Sequence, residues 1–135
     1  MFCSEDSEYR DFRSPGYYIE EDFKMIADWG FDFVRLPLSY RLWSSVDTPY
    51  EIDEGKIAPL DKAVYLAEKY GLHTNIARHR LPGYCVNQDE KIEEKGNLWT
   101  DKDMLDASAY QWTEIAKRYK GVSSDKLSFN VINEP

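Results

Sequence analysis

A helical segment followed by a short strand-like segment occurs three times along this chain. The helical segments place apolar side chains three and four residues apart, and glycine follows each of the first two. We predict helices over residues 19–29, 60–70 (preceded by Pro59) and 102–119, and strands over residues 31–38, 72–77 and 127–132. Because a helix separates consecutive strands, the pattern predicts an α/β fold with a parallel sheet.

The predicted core-facing side chains follow from the same periodicity. On the helices they recur on one face, which must pack against the sheet. They are Phe23, Ile26 and Ala27 in the first helix, Leu60, Ala63, Val64 and Ala67 in the second, and Met104, Ser108, Trp112, Ile115 and Tyr119 in the third.

Polar residues follow the last predicted strand. Asn133 and Glu134 come directly after it, and Pro135 cannot donate to a strand ladder. The carboxyl ends of parallel strands are where α/β proteins place their chemistry. A carboxylate there can act as a general acid while the amide holds a substrate hydroxyl. For the tripeptide alone, the opening of a turn is the favoured explanation.

The other two predicted strands also carry ionisable residues toward their ends. Arg35 lies near the end of the first strand, and His79 follows the second. The connections after strands are long and aromatic, whereas those after helices are short, as in a (β/α)₈ barrel with its working face at the strand ends. Singly, Arg35 suits a salt bridge and His79 a satisfied structural histidine. Together with Glu134 they favour a site.

Composition excludes several other functions. Seventeen Lys and Arg face 25 Asp and Glu, a net charge of −8, which disfavours nucleic acid as a partner. No apolar run has transmembrane length, and no export signal is expected from the N-terminal residues. The chain has neither a phosphate-binding glycine-rich loop nor a Gly-x-Ser-x-Gly motif.

Cysteine and histidine do not predict a metal site or a disulfide framework. Cys3 and Cys85 are interpreted as thiols, and His73 and His79 would lie about 20 Å apart along an extended strand. We expect no metal and no cofactor. What remains is carboxylate chemistry beside amides and aromatic rings, which suits a sugar substrate.

Four sequence blocks, in order, resemble glycoside hydrolase family 5, the cellulase-type retaining β-glycanases. The blocks are Phe31–Pro37, His79–Tyr84, Asn97–Trp99 and Phe129–Pro135, and the similarity runs from about residue 17 to the end. The resemblance implies a partial TIM (β/α)₈ barrel, about strands two to four with flanking helices. Residues 1–135 would form one partial catalytic domain from the N-terminal half of the barrel.

The resemblance also implies roles for individual residues. Glu134 corresponds to the family's general acid/base, and Asn133 to the asparagine that binds the sugar 2-hydroxyl. Arg35 corresponds to the arginine that supports the nucleophile, and His79 to a histidine of the glycone site.

Three aromatic residues on the same predicted face complete the proposed substrate site. Trp43, Tyr84 and Trp99 lie on loops where they would stack on sugar rings, and packing within the loops is the alternative.

The sequence departs from the family pattern in two ways. Nothing before Ile19 resembles the apolar first strand, and the nucleophilic glutamate of strand seven is not among these residues. A retaining glycosidase needs two carboxyl groups roughly 5 Å apart. We therefore expect an internal piece of such an enzyme.

The resemblance implies a glycosidase of the endo-β-1,4-glucanase type, acting on β-linked plant polysaccharide by retaining double displacement. The parent enzyme is expected to be extracellular. The alternative is a fragment without catalysis that binds carbohydrate or associates with itself. Open strand edges and an uncovered lumen face predict a homo-oligomer.

Overall fold

The three predicted helices and three predicted strands are all present in a computed structural model, which describes residues 18–85 and 94–135. Cys3 lies outside the described residues. In chain order the elements are α1 (Glu20–Asp28), β1 (Phe33–Ser39), a 3₁₀ turn (Tyr40–Leu42), α2 (Glu54–Lys69), β2 (His73–Leu81), β3 (Tyr84–Cys85), α3 (Lys102–Arg118) and β4 (Leu127–Asn130).

β2 is the central strand of an open sheet. It pairs in parallel with β1 on one side, where Arg35 is opposite Asn75, and with β4 on the other, where Asn75 is opposite Ser128. The parallel order β1–β2–β4 confirms the predicted α/β architecture. The two-residue strand β3 was not predicted. It turns back antiparallel to the end of β2 and makes the sheet mixed.

The helices pack on one face of this sheet. Leu36, Leu38 and Ile76 point into that layer and are buried at no more than 6% exposure. They pack with the predicted stripe of α2, all four members of which are buried, and with Phe23 of α1 and Ile115 of α3. Within the described segments, no helix has both the length and the apolar character needed to cross a bilayer.

The start of α2 was predicted wrongly. The helix begins at Glu54 rather than after Pro59, because the Asp53 side chain caps it by accepting from the amides of Gly55 at 2.9 Å and Lys56 at 3.1 Å. Pro59 is therefore the sixth helical residue. Its missing N–H removes one hydrogen bond near the helix start, which the longer helix tolerates.

Strand β2 is longer than predicted. It continues to Leu81 because the β3 hairpin pairs Arg80 with Cys85 and Leu81 with Tyr84. His79 therefore lies inside the strand. It shares the parity of Asn75 and projects from the face opposite the helices. We call this surface, defined by Arg35, Asn75, Ser128 and His79, the open face.

Candidate functional site

Arg35, His79 and Asn133 meet at one end of the open face. The Arg35 guanidinium donates from Nη2 to Oδ1 of Asn133 at 2.7 Å, and its Nη1 lies 3.0 Å from Nε2 of His79. β1 supplies the first residue, β2 the second, and the segment after β4 the third. Arg35 does not lie near the end of its strand, where it was predicted, but is the third residue of β1, opposite Asn75. Its long side chain extends to His79 and Asn133, so three residues far apart in sequence form one hydrogen-bonded group.

The contact with Arg35 defines the protonation of His79. A guanidinium has no acceptor, so Nε2 must accept, and the neutral ring carries its proton on Nδ1. Burial and the positive charge of Arg35 lower the pKa of His79, and the charge of Glu134 acts in the opposite direction. The ring is therefore held neutral, with Nδ1–H as a donor.

Glu134 carries an exposed carboxylate beside this group. Its backbone φ is +50°, a left-handed conformation that residues other than glycine rarely adopt. The amide of the preceding residue, Asn133, donates to the carbonyl of Arg78 at 2.9 Å. The Tyr84 hydroxyl lies 2.7 Å from the Asn133 carbonyl and 2.5 Å from the Glu134 carbonyl.

Two aromatic rings border the site on one side. Trp99 is 63% exposed, and its ring meets the ring of Tyr84 edge-on at 6.0 Å and 82°. The Trp99 backbone amide donates to Oδ1 of the Asn97 side chain at 2.8 Å. An exposed indole in a fixed loop offers an apolar face of the kind that stacks on a pyranose ring.

Trp43 does not belong to this surface. Its side chain is 1% exposed, and its Nε1 donates to Oε1 of the buried Gln111 at 2.9 Å. The prediction of a stacking role for Trp43 is wrong, because the residue turns from its loop into the core.

A buried guanidinium, which was not predicted from the sequence, lies behind the site. Arg78 is fully buried, with its charge 4.6 Å from the centre of the Trp43 ring and 5.0 Å from that of Trp112. Burial lowers its pKa. Its Nε and Nη1 have no hydrogen-bond partner within residues 18–85 and 94–135, and only Nη2 approaches a carbonyl, that of Gln111 at 3.5 Å. The sequence Arg78–His79–Arg80 was the available signal. Successive side chains of a strand point to opposite faces, so His79 on the open face implies that Arg78 and Arg80 point toward the helices.

A second missed residue, Glu94, ties the neighbouring loops together. Its carboxylate accepts from the Tyr40 hydroxyl at 2.7 Å and pairs with Nη2 of Arg41 at 2.9 Å, and the Gly83 amide lies 3.4 Å away. Burial, and then this bond, raise the pKa of Tyr40. The loop after β1 is thereby joined to the hairpin that carries Tyr84.

Among the described residues, no three His, Cys, Asp or Glu side chains are grouped so that they would hold a metal ion.

Comparison with known proteins identifies the family. The model of cellulase (glycosyl hydrolase family 5) matches residues 7–135. This chain belongs to glycoside hydrolase family 5. It is 34% identical over 127 residues to cellodextrinase A of Ruminococcus flavefaciens, covering 94% of this chain and 36% of that protein. It is 31% identical over 118 residues to endoglucanase C of Acetivibrio thermocellus, covering 87% and 33%.

Solved structures of the family share the fold. A crystal structure of a glycoside hydrolase superposes with a TM-score of 0.86 at 36% identity, covering 100% of this chain and 39% of the other. Pseudomonas stutzeri endoglucanase Cel5A in complex with cellobiose gives 0.68 at 26% identity, covering 88% and 33%. The chain thus spans 36% and 33% of the two relatives above, and its open sheet is one arc of a TIM barrel.

Proposed function

We propose that this chain forms the acid/base side of the active site of a cellulase-type glycoside hydrolase that cleaves β-linked glucan. The observation that carries the proposal is the bond from Arg35 to Asn133, which fixes the residue next to an exposed glutamate at the strand ends. The names of the family's relatives, endoglucanase and cellodextrinase, support a β-glucan substrate.

In the proposed mechanism Glu134 transfers protons. Its acid form protonates the departing glycosidic oxygen, and its carboxylate then takes a proton from the water that completes the retaining double displacement. The nucleophile in this scheme is a second carboxylate about 5 Å away, which we propose is supplied from outside these residues.

Asn133 and His79, which lie beside Glu134, each keep a hydrogen-bond donor for a sugar hydroxyl. The Asn133 oxygen is occupied by Arg35, so its Nδ2 remains as a donor for a sugar hydroxyl. The neutral His79 ring likewise keeps Nδ1–H as a donor. The Arg35 guanidinium would stabilise the nucleophilic carboxylate that is supplied from outside these residues.

Hydrolysis of a soluble β-glucan tests the role of Glu134. In a parent enzyme that also supplies the nucleophilic carboxylate, we expect reducing-sugar release to be lost in Glu134→Gln and retained in Glu51→Gln, which makes the same substitution at another exposed position. Measurable release that is equal with Glu134→Gln and with the unsubstituted protein would contradict the assignment.

A carbohydrate-binding function without turnover is the second candidate, favoured by the exposed ring of Trp99. Saturable binding of cellotetraose with no sugar release would support this function over hydrolysis. Release that depends on Glu134 would exclude it.

Self-association is proposed from the outer strands. In the described residues β1 and β4 each pair along one edge only, and Phe33, Phe129 and Val131 near them are 48%, 42% and 62% exposed. Copies joined through these strands and the open face would cover apolar surface and unpaired backbone. Light scattering that shows a monomer at micromolar concentration would refute this proposal.

We also propose an extracellular location for the parent enzyme, because a polysaccharide substrate is too large to enter a cell. Cell fractionation of the source organism, with glucanase activity measured in each fraction, tests it.

A further inference from the structure

In the part of the chain that the structure describes, the segment that carries Asn133 and Glu134 lies outside the strand ladder. Strand β4 ends at Asn130, so the ladder does not extend to Val131 or beyond. Other groups hold the backbone instead. They are Trp112, whose Nε1 donates to the Val131 carbonyl at 2.9 Å, Arg78, whose carbonyl accepts from the Asn133 amide at 2.9 Å, and Tyr84, whose hydroxyl reaches the carbonyls of Asn133 and Glu134 at 2.7 and 2.5 Å.

The backbone of Glu134 needs such support. Its φ of +50° lies in the left-handed region, where the Cβ atom crowds the following carbonyl. A residue in this conformation persists only when its surroundings determine it. The side chain that this unusual backbone orients is the carboxylate of the proposed acid/base.

We infer that Tyr84 and Trp112 are positioning residues, which hold the Val131–Glu134 backbone so that the Glu134 carboxylate and the Asn133 amide face the site. The inference rests on the proposed function and deepens it. Tyr84 approaches from the β3 hairpin and Trp112 from helix α3, so the segment is fixed by two independent elements.

Both donors are themselves fixed. The Trp112 ring packs edge-on against Phe129 at 5.7 Å and lies against the Arg78 guanidinium. Tyr84 follows Gly83, whose carbonyl accepts from the Leu98 amide at 2.9 Å, and so it lies in an anchored hairpin.

The positioning role is separable from the stacking role first expected of Tyr84. Stacking uses the ring, whereas positioning uses only the hydroxyl. Tyr84→Phe keeps the ring and removes the hydroxyl, and Trp112→Phe keeps an aromatic side chain and removes the Nε1 donor. Tyr65→Phe and Trp29→Phe repeat these substitutions at side chains that are 62% and 68% exposed.

The pKa of His79 reports the position of Glu134 without any need for catalysis. The Glu134 charge raises this pKa against burial and the Arg35 charge, which lower it. Displacement of the carboxylate therefore lowers the pKa of His79. Glu134→Gln, which removes the charge, calibrates the full effect. His73, which contacts Asp125 and Ser128, serves as an internal reference in the same spectra.

The experiment is an NMR titration of the two histidines in the full chain. We expect Tyr84→Phe and Trp112→Phe to shift the His79 midpoint downward, in the direction of Glu134→Gln, while Tyr65→Phe and Trp29→Phe leave it unchanged. An unchanged His79 midpoint in Tyr84→Phe would overturn the inference. Tyr84→Phe is measured on its own, so this outcome decides even if Trp112→Phe does not fold.

The outcome is independent of whether the chain hydrolyses glucan. Without turnover, the titration still decides whether the two residues position Glu134. In an active preparation, Tyr84→Phe should reduce kcat by about tenfold with little change in KM, because misplacement of the acid affects the transition state more than binding.

Discussion

Nη1 of Arg35 lies 3.0 Å from Nε2 of His79, and this contact requires the imidazole to act as the acceptor. An imidazolium has no acceptor nitrogen, so protonation of His79 breaks the bond and places two positive charges side by side. Burial, and then this interaction with Arg35, lower the pKa of His79.

Removal of the Arg35 charge should raise the pKa of His79. In Arg35→Met the burial contribution remains while the repulsion disappears, so the NMR titration midpoint should move upward. Lys62→Met, which removes an exposed charge on helix α2, is the control and should leave the midpoint unchanged. A midpoint in Arg35→Met at or below that of the unsubstituted chain would contradict this explanation.

The lowered pKa of His79 should make stability depend on pH. Because the pKa of His79 is lowered in the folded chain, the unfolded chain binds this proton first as the pH falls. The free energy of unfolding should therefore decrease as the pH falls from the ordinary histidine range, about 6.5, toward the lower folded pKa. Urea denaturation between about pH 7.5 and 5.5 should show a smaller decrease in His79→Gln. Equal decreases in both chains would contradict the assignment to His79.

Gly83 should tolerate alanine less well than Gly71. Both have left-handed backbones, with φ of +76° and +71°. A Cβ at Gly83 would lie 2.7 Å from the Leu98 nitrogen and 2.8 Å from Met104 Cβ, whereas one at Gly71 would meet nothing within 4 Å. Each substitution should cost about 1 kcal/mol for the backbone, and Gly83→Ala a further ~1–3 kcal/mol for the clash. If urea denaturation shows the same decrease in the free energy of unfolding for both variants, the hairpin accommodates the added Cβ and the predicted clash is absent.

Local sequence was sufficient for the parts of the site that depend on strand order. His79 lies near the end of β2 and Asn133 follows β4, and parallel pairing brings these two positions together. Arg35, the third residue of β1, reaches them through its long side chain. The same reasoning misplaced Trp43. Its loop position is local information, but its burial depends on Gln111 and Arg78, which are distant in sequence.

The start of α2 and the length of β2 were missed for related reasons. Proline is commonest in the first helical turn, so Pro59 suggested a start that the Asp53 cap overrides. The extension of β2 to Leu81 depends on pairing with β3, and two residues are too few to show a strand periodicity.

Asp61 should be the main polar link between helices α2 and α3. It accepts from Nε and Nη2 of Arg118, both at 2.7 Å, and from the Tyr119 hydroxyl at 2.9 Å. Asp61→Asn should lower the free energy of unfolding by about 2 kcal/mol, because the charge-assisted pair of bonds is lost. Asp28→Asn, whose exposed ion pair with Lys24 spans 4.0 Å, should cost less than about 0.5 kcal/mol.

The pKa of Asp61 is also lowered in the folded chain, but by attractive contacts, whereas burial and repulsion lower that of His79. Burial alone would raise the pKa of Asp61, but the hydrogen bonds from Arg118 and Tyr119 outweigh it, so the pKa is lowered. The unfolded chain therefore binds this proton first, and stability should fall as the pH drops through about 3.9. Asp61→Asn should lack this part of the acid-induced loss. Parallel stability curves for both chains below about pH 5 would contradict the assignment.

Trp99 and Trp43 should separate sugar binding from core packing. Trp99→Ala removes an exposed ring beside the site and should weaken cellotetraose binding about 3- to 10-fold with little effect on stability. Trp43→Phe should leave binding unchanged and cost about 1–3 kcal/mol of stability, because the buried oxygen of Gln111 loses its donor. Calorimetric titration in a Glu134→Gln background prevents turnover during the measurement, and Trp29→Ala controls for loss of an exposed indole far from the site. If Trp99→Ala binds as tightly as this control, Trp99 does not contact the sugar, and the aromatic border of the site has only a structural role.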